Sequence, residues 1–143
     1  MASNVAFEVT IDNTNLILEE VARVSETVLK QCGEVIEGYA KEDCPVDTGL
    51  LRNSITYGLS GKAVNQVDYS DDAGVQHGHY SSNAPTTHMD AVYVGSNVEY
   101  APAVEFKSMS HRVGKAHFLR DAGMNHFDEL KDKAEKIYHA RLD

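Results

Sequence analysis

Cys44-Pro45-Val46-Asp47-Thr48-Gly49-Leu50-Leu51-Arg52-Asn53-Ser54-Ile55 separates a helical part of the chain from a part rich in strands. Pro45 stops the helix before it, Asp47 or Thr48 offers a side-chain oxygen to cap a short new helix, and Gly49 leaves the first turn of that helix unobstructed. Upstream, Ile17, Val21, Val24, Val28, Cys32, Val35 and Tyr39 recur in steps of three and four, which is one helical face. Glu19, Glu20, Glu26, Lys30, Glu34 and Glu37 lie largely off that stripe. The spacing predicts a long helix packed on a sheet, in which Gly33 and Gly38 each cost up to about 1 kcal/mol relative to alanine. Downstream, Ile55, Tyr57 and Leu59 share one face of a strand while Thr56 and Gly58 face the other way.

Further along, Ala91 to Ser96 reads as the clearest central strand, with Val92, Tyr93 and Val94 ending at Gly95. After it, Tyr100, Val104 and Phe106 are expected to anchor a short helix while Glu99 and Glu105 stay wet. A final helix from about Phe118 to Leu142 carries Leu119, Ala122, Phe127, Leu130, Ala134, Ile137 and Tyr138 on one side. Its Lys131, Lys133, Lys136 and Arg141 suit the C-terminal end of the helix dipole. Val5-Ala6-Phe7-Glu8-Val9-Thr10-Ile11 alternates like a short strand or extended arm. Residues 60–90 are polar, with at most one more strand around Val64, Val67 and Tyr69, and read either as a projecting hairpin or arm that orders against a neighbouring subunit or as a disordered insertion. The expected architecture is α+β: long N-terminal and C-terminal helices packed on a mostly antiparallel sheet, with residues 1–143 as a single domain. Such a sheet leaves an edge at which subunits join.

Charge is unevenly placed. Residues 1–106 hold 5 Lys/Arg against 16 Asp/Glu, while residues 107–143 hold 8 against 6, so the net charge of −9 belongs to the first three quarters of the chain. An acidic body repels a phosphate backbone, which disfavours tight nucleic-acid binding. No apolar run approaches the roughly 20 residues that span a bilayer, and Met1-Ala2-Ser3-Asn4 lacks a signal-peptide pattern, so synthesis in the cytoplasm and no membrane partner are expected. Cys32 and Cys44 are too few for a disulfide framework and read as small buried side chains.

The candidate chemistry is thin. Asp47-Thr48-Gly49 is the triplet of aspartic proteases, in which two aspartates meet across a dimer. Here it follows Cys44-Pro45 instead of a hydrophobic strand and precedes the helix-like Leu50-Leu51-Arg52. His77 and His79, with His88 or Asp72, have no diagnostic metal spacing. The serines lack a nucleophile elbow. No catalytic residue, metal site or cofactor is therefore expected, and a dimeric aspartic protease using Asp47 stands as the alternative of another class. Arg52 and Glu105 are the candidates for an ion pair between the motifs or between subunits.

Pro45, Asp47, Thr48 and Gly49 with Leu51, Arg52 and Ser54, then Gly95, Tyr100, Ala101 and Glu105, then Phe118 and Leu119 stand in an order that resembles the neck and tail-completion proteins of long-tailed bacteriophages. The likeness covers most of residues 15–140. It departs at Lys107-Ser108, where the family usually continues with glycine, and at His117, where a proline often stands. The resemblance implies a small non-enzymatic virion protein that forms a ring, of six copies, at the head-tail junction. Its implied partners are copies of itself and neighbouring tail-terminator, tail-tube, head-closure or connector proteins, with the genome passing through unbound. A tail-terminator or head-closure role is the alternative of the same class. The thirteen named residues would then be assembly or structural positions.

Overall fold

The computed structural model describes residues 14–75, 77–81, 83–107 and 114–142. The expected strand at 5–11 lies outside them.

The helical stripe becomes α1, Thr14–Asp43, about 45 Å long at 1.5 Å per residue. It packs across two strands and three later helices, two of them extensively. Val24, Val28 and Ala40 are buried, and Cys32, Val35, Ile36 and Tyr39 are partly so. Ile17 and Val21, expected on the packed face, are exposed, because the first turns of α1 overrun the sheet. The two glycines differ in purpose. A Cβ on Gly33 would come within 2.7 Å of Val92 and 2.9 Å of the Tyr57 ring, so its absence lets α1 approach the sheet closely, whereas a Cβ on Gly38 would meet nothing within 4 Å.

After Pro45 the chain turns through Gly49, at φ +84°, into α2, Leu50–Ser54, and then into β1, Thr56–Leu59. Next come β2, Asp68–Ser70, and β3, His77–His79, followed by β4, Val92–Gly95. β1 pairs antiparallel with β4 in the register Thr56↔Gly95 to Leu59↔Val92. The strand expected to be central is thus half of a two-stranded sheet. Tyr57 and Val92 turn toward α1. Thr56 and Gly58, on the opposite face, are also buried, because residues 62–66 fold along β1 and Ala84 lies over Gly58.

Residues 60–90 hold two strands where one was expected. β2 and β3 form an antiparallel hairpin, Asp68↔His79 to Ser70↔His77. His77-Gly78-His79 carries no strand propensity; it pairs because Gly78 leaves room for the Tyr69 ring, which a Cβ there would meet at 2.1 Å. The hairpin packs on α2.

The last elements are α3, Ala101–Phe106, then α4, Phe118–Met124, and α5, Phe127–Leu142. The anticipated C-terminal helix is interrupted at Asn125-His126, where the His126 ring stacks on Tyr39 of α1 at 3.5 Å between centroids. Tyr39 also donates to Glu129, and Ser25 and Tyr138 share a 2.9 Å hydrogen bond that lays α5 along α1. Phe127, expected in the apolar stripe, is exposed, and α5 has no fully buried residue. One core joins the elements: Ala40, Cys44, Leu51, Ile55, Tyr69, Val98, Ala101, Phe118 and Ala122.

Candidate functional site

The motif residues converge on this core from three separate parts of the chain. Leu51, Ala101 and Phe118 are buried in it, and Leu119 packs against it. Around the apolar centre lie three polar joints.

The first joint fastens the hairpin to α2. Gly49 is the residue before α2, with a left-handed backbone that has no room for a side chain: a Cβ would lie 2.4 Å from the Asp72 carboxylate. Asp72 donates its backbone N–H to Thr48 O at 2.9 Å, and its carboxylate accepts from Arg52 at 2.6 Å and from the Asn53 amide at 3.0 Å. Asn53 donates to Ser70 O as well. The Asn53 hydrogen bond first, and then Arg52, hold the Asp72 carboxyl below the usual aspartate range. The expected cap by Asp47 or Thr48 is not formed in its usual geometry. α2 has no side-chain bond from its N-cap, Gly49; Thr48 Oγ1 only accepts from Leu50 N–H at 3.4 Å, and Asp47 is exposed. The tight turn leaves the glycine where a capping side chain would stand.

The second joint is Glu105. Expected to be wet, it is 5% exposed, while Tyr100 and Phe106, expected to anchor α3, are exposed. α3 turns Ala101, Val104 and Glu105 inward, a spacing of three and four that fits one face as well as the anticipated one. The Glu105 carboxylate accepts from Leu119 N–H at 2.9 Å and Arg120 N–H at 3.0 Å, and its backbone carbonyl from His117 N–H at 3.0 Å. These are orphan donors of the first turn of α4, whose own N-cap, His117, supplies no side-chain bond. Arg52 and Glu105 therefore do not pair with each other within the chain: each is engaged there with other partners.

The third joint links α2, the hairpin and β4. Ser54 Oγ donates to Leu51 O at 2.6 Å and meets Ser96 Oγ at 2.5 Å. Tyr80 donates to Ser54 O, Tyr69 donates to Asn97 Oδ1, and the Asn97 amide donates to His79 O at 2.9 Å. The two tyrosine rings meet edge to face at 5.3 Å. Burial pushes the Tyr80 phenol up to about 12, and the Cys44 thiol up to about 12. Both stay neutral at physiological pH. Tyr80 and Asn97 were missed in the sequence because they carry no periodic signal; Asn53 stands unassigned within the opening run, and Asp72 entered only as a possible metal ligand.

His79 pairs with Asp68 of the facing strand at 2.8 Å, and among the described residues no group of His, Cys, Asp and Glu is arranged to hold a metal ion. No helix among them is long and apolar enough to cross a membrane. The side chains of Arg52, Ser54 and Glu105 make internal bonds, while Asp47 and Tyr100 are exposed, so what this cluster does chemically is hold distant segments in one shape.

A sequence model of the HK97-gp10-like family, described as "Bacteriophage HK97-gp10, putative tail-component", matches residues 10–106, about two thirds of the chain. No curated protein and no solved structure is matched.

Proposed function

The chain belongs to this family of bacteriophage tail components, and we propose that it is a structural virion subunit that forms a ring at the head-tail junction, completes the tail and joins it to the head. One observation carries this reading: segments from within residues 10–106 meet one another and α4, which lies beyond them, at the three joints, where Arg52, Ser54 and Glu105 are engaged in holding the segments together. A subunit built in this way acts by shape. In this reading it takes no cofactor and catalyses nothing, and Asp47-Thr48-Gly49 opens a helix.

The ring would contain six copies, each presenting one patch to a different patch on the next so that the rotation closes. Tail-terminator, tail-tube, head-closure or connector rings would flank it. The acidic charge of residues 1–106 supports a lumen past which DNA slides without adhering. The test is electron cryomicroscopy of assembled particles. A symmetric ring of this chain between head and tail is expected; its absence from the particle, or a position remote from the junction, would overturn the proposal. A compact dimer with Asp47 facing its mate, together with cleavage activity lost in Asp47→Asn, would instead establish the protease.

A further inference from the structure

β4 has a free edge. In the register Thr56↔Gly95 and Gly58↔Tyr93, with Ser60 N–H donating to Ala91 O at 2.9 Å one step on, these are the hydrogen-bonded pairs of the ladder. Val92 and Val94 therefore turn their N–H and C=O groups away from β1. The same alternation directs Tyr57 and Leu59 outward on the other side of β1, where Asn65 and Lys62 donate to their carbonyls at 2.8 and 2.9 Å. β1 is thus closed on both sides. Val92 and Val94 have no backbone partner on their outer side among the described residues, and α1 and β1 are the elements that pack extensively on β4. Nor is the edge guarded: Val92-Tyr93-Val94-Gly95 carries no charge and no proline, and its register is unbroken. Beside it, on the sheet face away from α1, lies a groove of about 350 Å³ walled by Gly58, Val64, Ala84, Pro85 and Tyr93.

The chain carries a segment with the chemistry to occupy such an edge. Val5-Ala6-Phe7-Glu8-Val9-Thr10-Ile11 is apolar at every odd position, holds one charge and has no proline. It precedes α1, whose start stands clear of the body: Leu16, Ile17 and Leu18 are each at least 60% exposed. Ala22 lines a cavity with Leu59 and Ala91 at the sheet's end, so Thr14 lies about 12 Å beyond it along the helix. A segment doubling back to its own β4 would use about four residues to cover that distance, Ile11 among them. Extended outward, all of 5–11 is available to a neighbour.

We propose that residues 5–11 of one copy add as a strand to the free edge of β4 in a second copy, its backbone bonding to Val92 and Val94 and alternate side chains entering the groove. The link is head-to-tail, the kind from which closed rings or open filaments are built. It rests on the edge and not on the subunit's place in a particle, so the two proposals fail separately.

Cross-linking of the full-length chain tests it. One variant carries Phe7→Cys, the other Gly95→Cys, a position where a Cβ meets nothing within 4 Å. The unsubstituted chain, with Cys44 buried and Cys32 partly so, sets the background. Mixed and treated with a short bis-maleimide, the two variants should yield a covalent dimer. Glu8→Pro and Val9→Pro introduced together in the Phe7→Cys chain should return it to background with an unchanged circular dichroism spectrum, since one of two adjacent N–H groups must face the edge. A dimer no stronger than background, a dimer indifferent to the prolines, or a single chain carrying both Phe7→Cys and Gly95→Cys that links only within itself would overturn the proposal.

Discussion

Glu105 illustrates how one side chain can fix the relation between two segments far apart in sequence. Its carboxylate does for α4 what an N-cap residue does locally, but from α3. Glu105→Ala would leave two part-buried N–H donors without their acceptor, and a loss of about 1–2 kcal/mol is expected, with a melting temperature lower by roughly 5 °C. Glu105→Gln retains one carbonyl acceptor and should lose about half as much; equal losses in thermal melts would show that charge and not geometry matters. The glycines give a second contrast. Gly49→Ala places a Cβ against Asp72 at positive φ and should cost at least about 1 kcal/mol. Gly38→Ala, where a Cβ meets open space in the last third of α1, should gain up to about 1 kcal/mol. Urea titrations of the two variants should move in opposite directions.

Among the elements, the β2–β3 hairpin is the one whose attachment depends most on individual polar contacts. Arg52, Asn53 and Thr48 hold Asp72, and Tyr69 and Tyr80 reach into the body. Arg52→Glu sets a like charge beside Asp72. The expected result is local: faster hydrogen exchange at the Asp72 and Tyr80 amides, with the β1–β4 amides still protected. Uniform loss of protection would instead make Arg52 a support of the whole fold. Exposed ion pairs such as Lys136–Asp132 are worth little by comparison.

For the molecule as a whole, Cys44 and Tyr80 link stability to alkaline pH. In the unfolded chain they ionise near 9.0 and 10.0, whereas in the folded protein burial raises both to about 12. Unfolding then releases protons, so their contribution is complete below about pH 9 and falls away as the pH rises toward about 12. Urea midpoints should decline between about pH 9 and about pH 12, and Tyr80→Phe should flatten that decline. An unchanged slope in the variant would mean that Tyr80 ionises as readily folded as unfolded.

The sequence by itself determined the elements whose signal is local. The α1 stripe, the break at Pro45, the turn at Gly49, the strands at Thr56 and Val92 and the start of a helix at Phe118 all follow from periodicity and backbone restriction within a few residues. The motif order also pointed to the family. Only the tertiary structure decided what those elements touch. Glu105 reads as a surface carboxylate until α4 presents two bare N–H groups to it, and Ile17 reads as core until the sheet ends before it. His77-Gly78-His79 becomes a strand because Tyr69 needs the space over Gly78. The physical reason is the same in each case: burial and hydrogen-bond satisfaction depend on atoms supplied by distant residues, and helical or alternating spacing shows which faces can be buried but not which partner covers them.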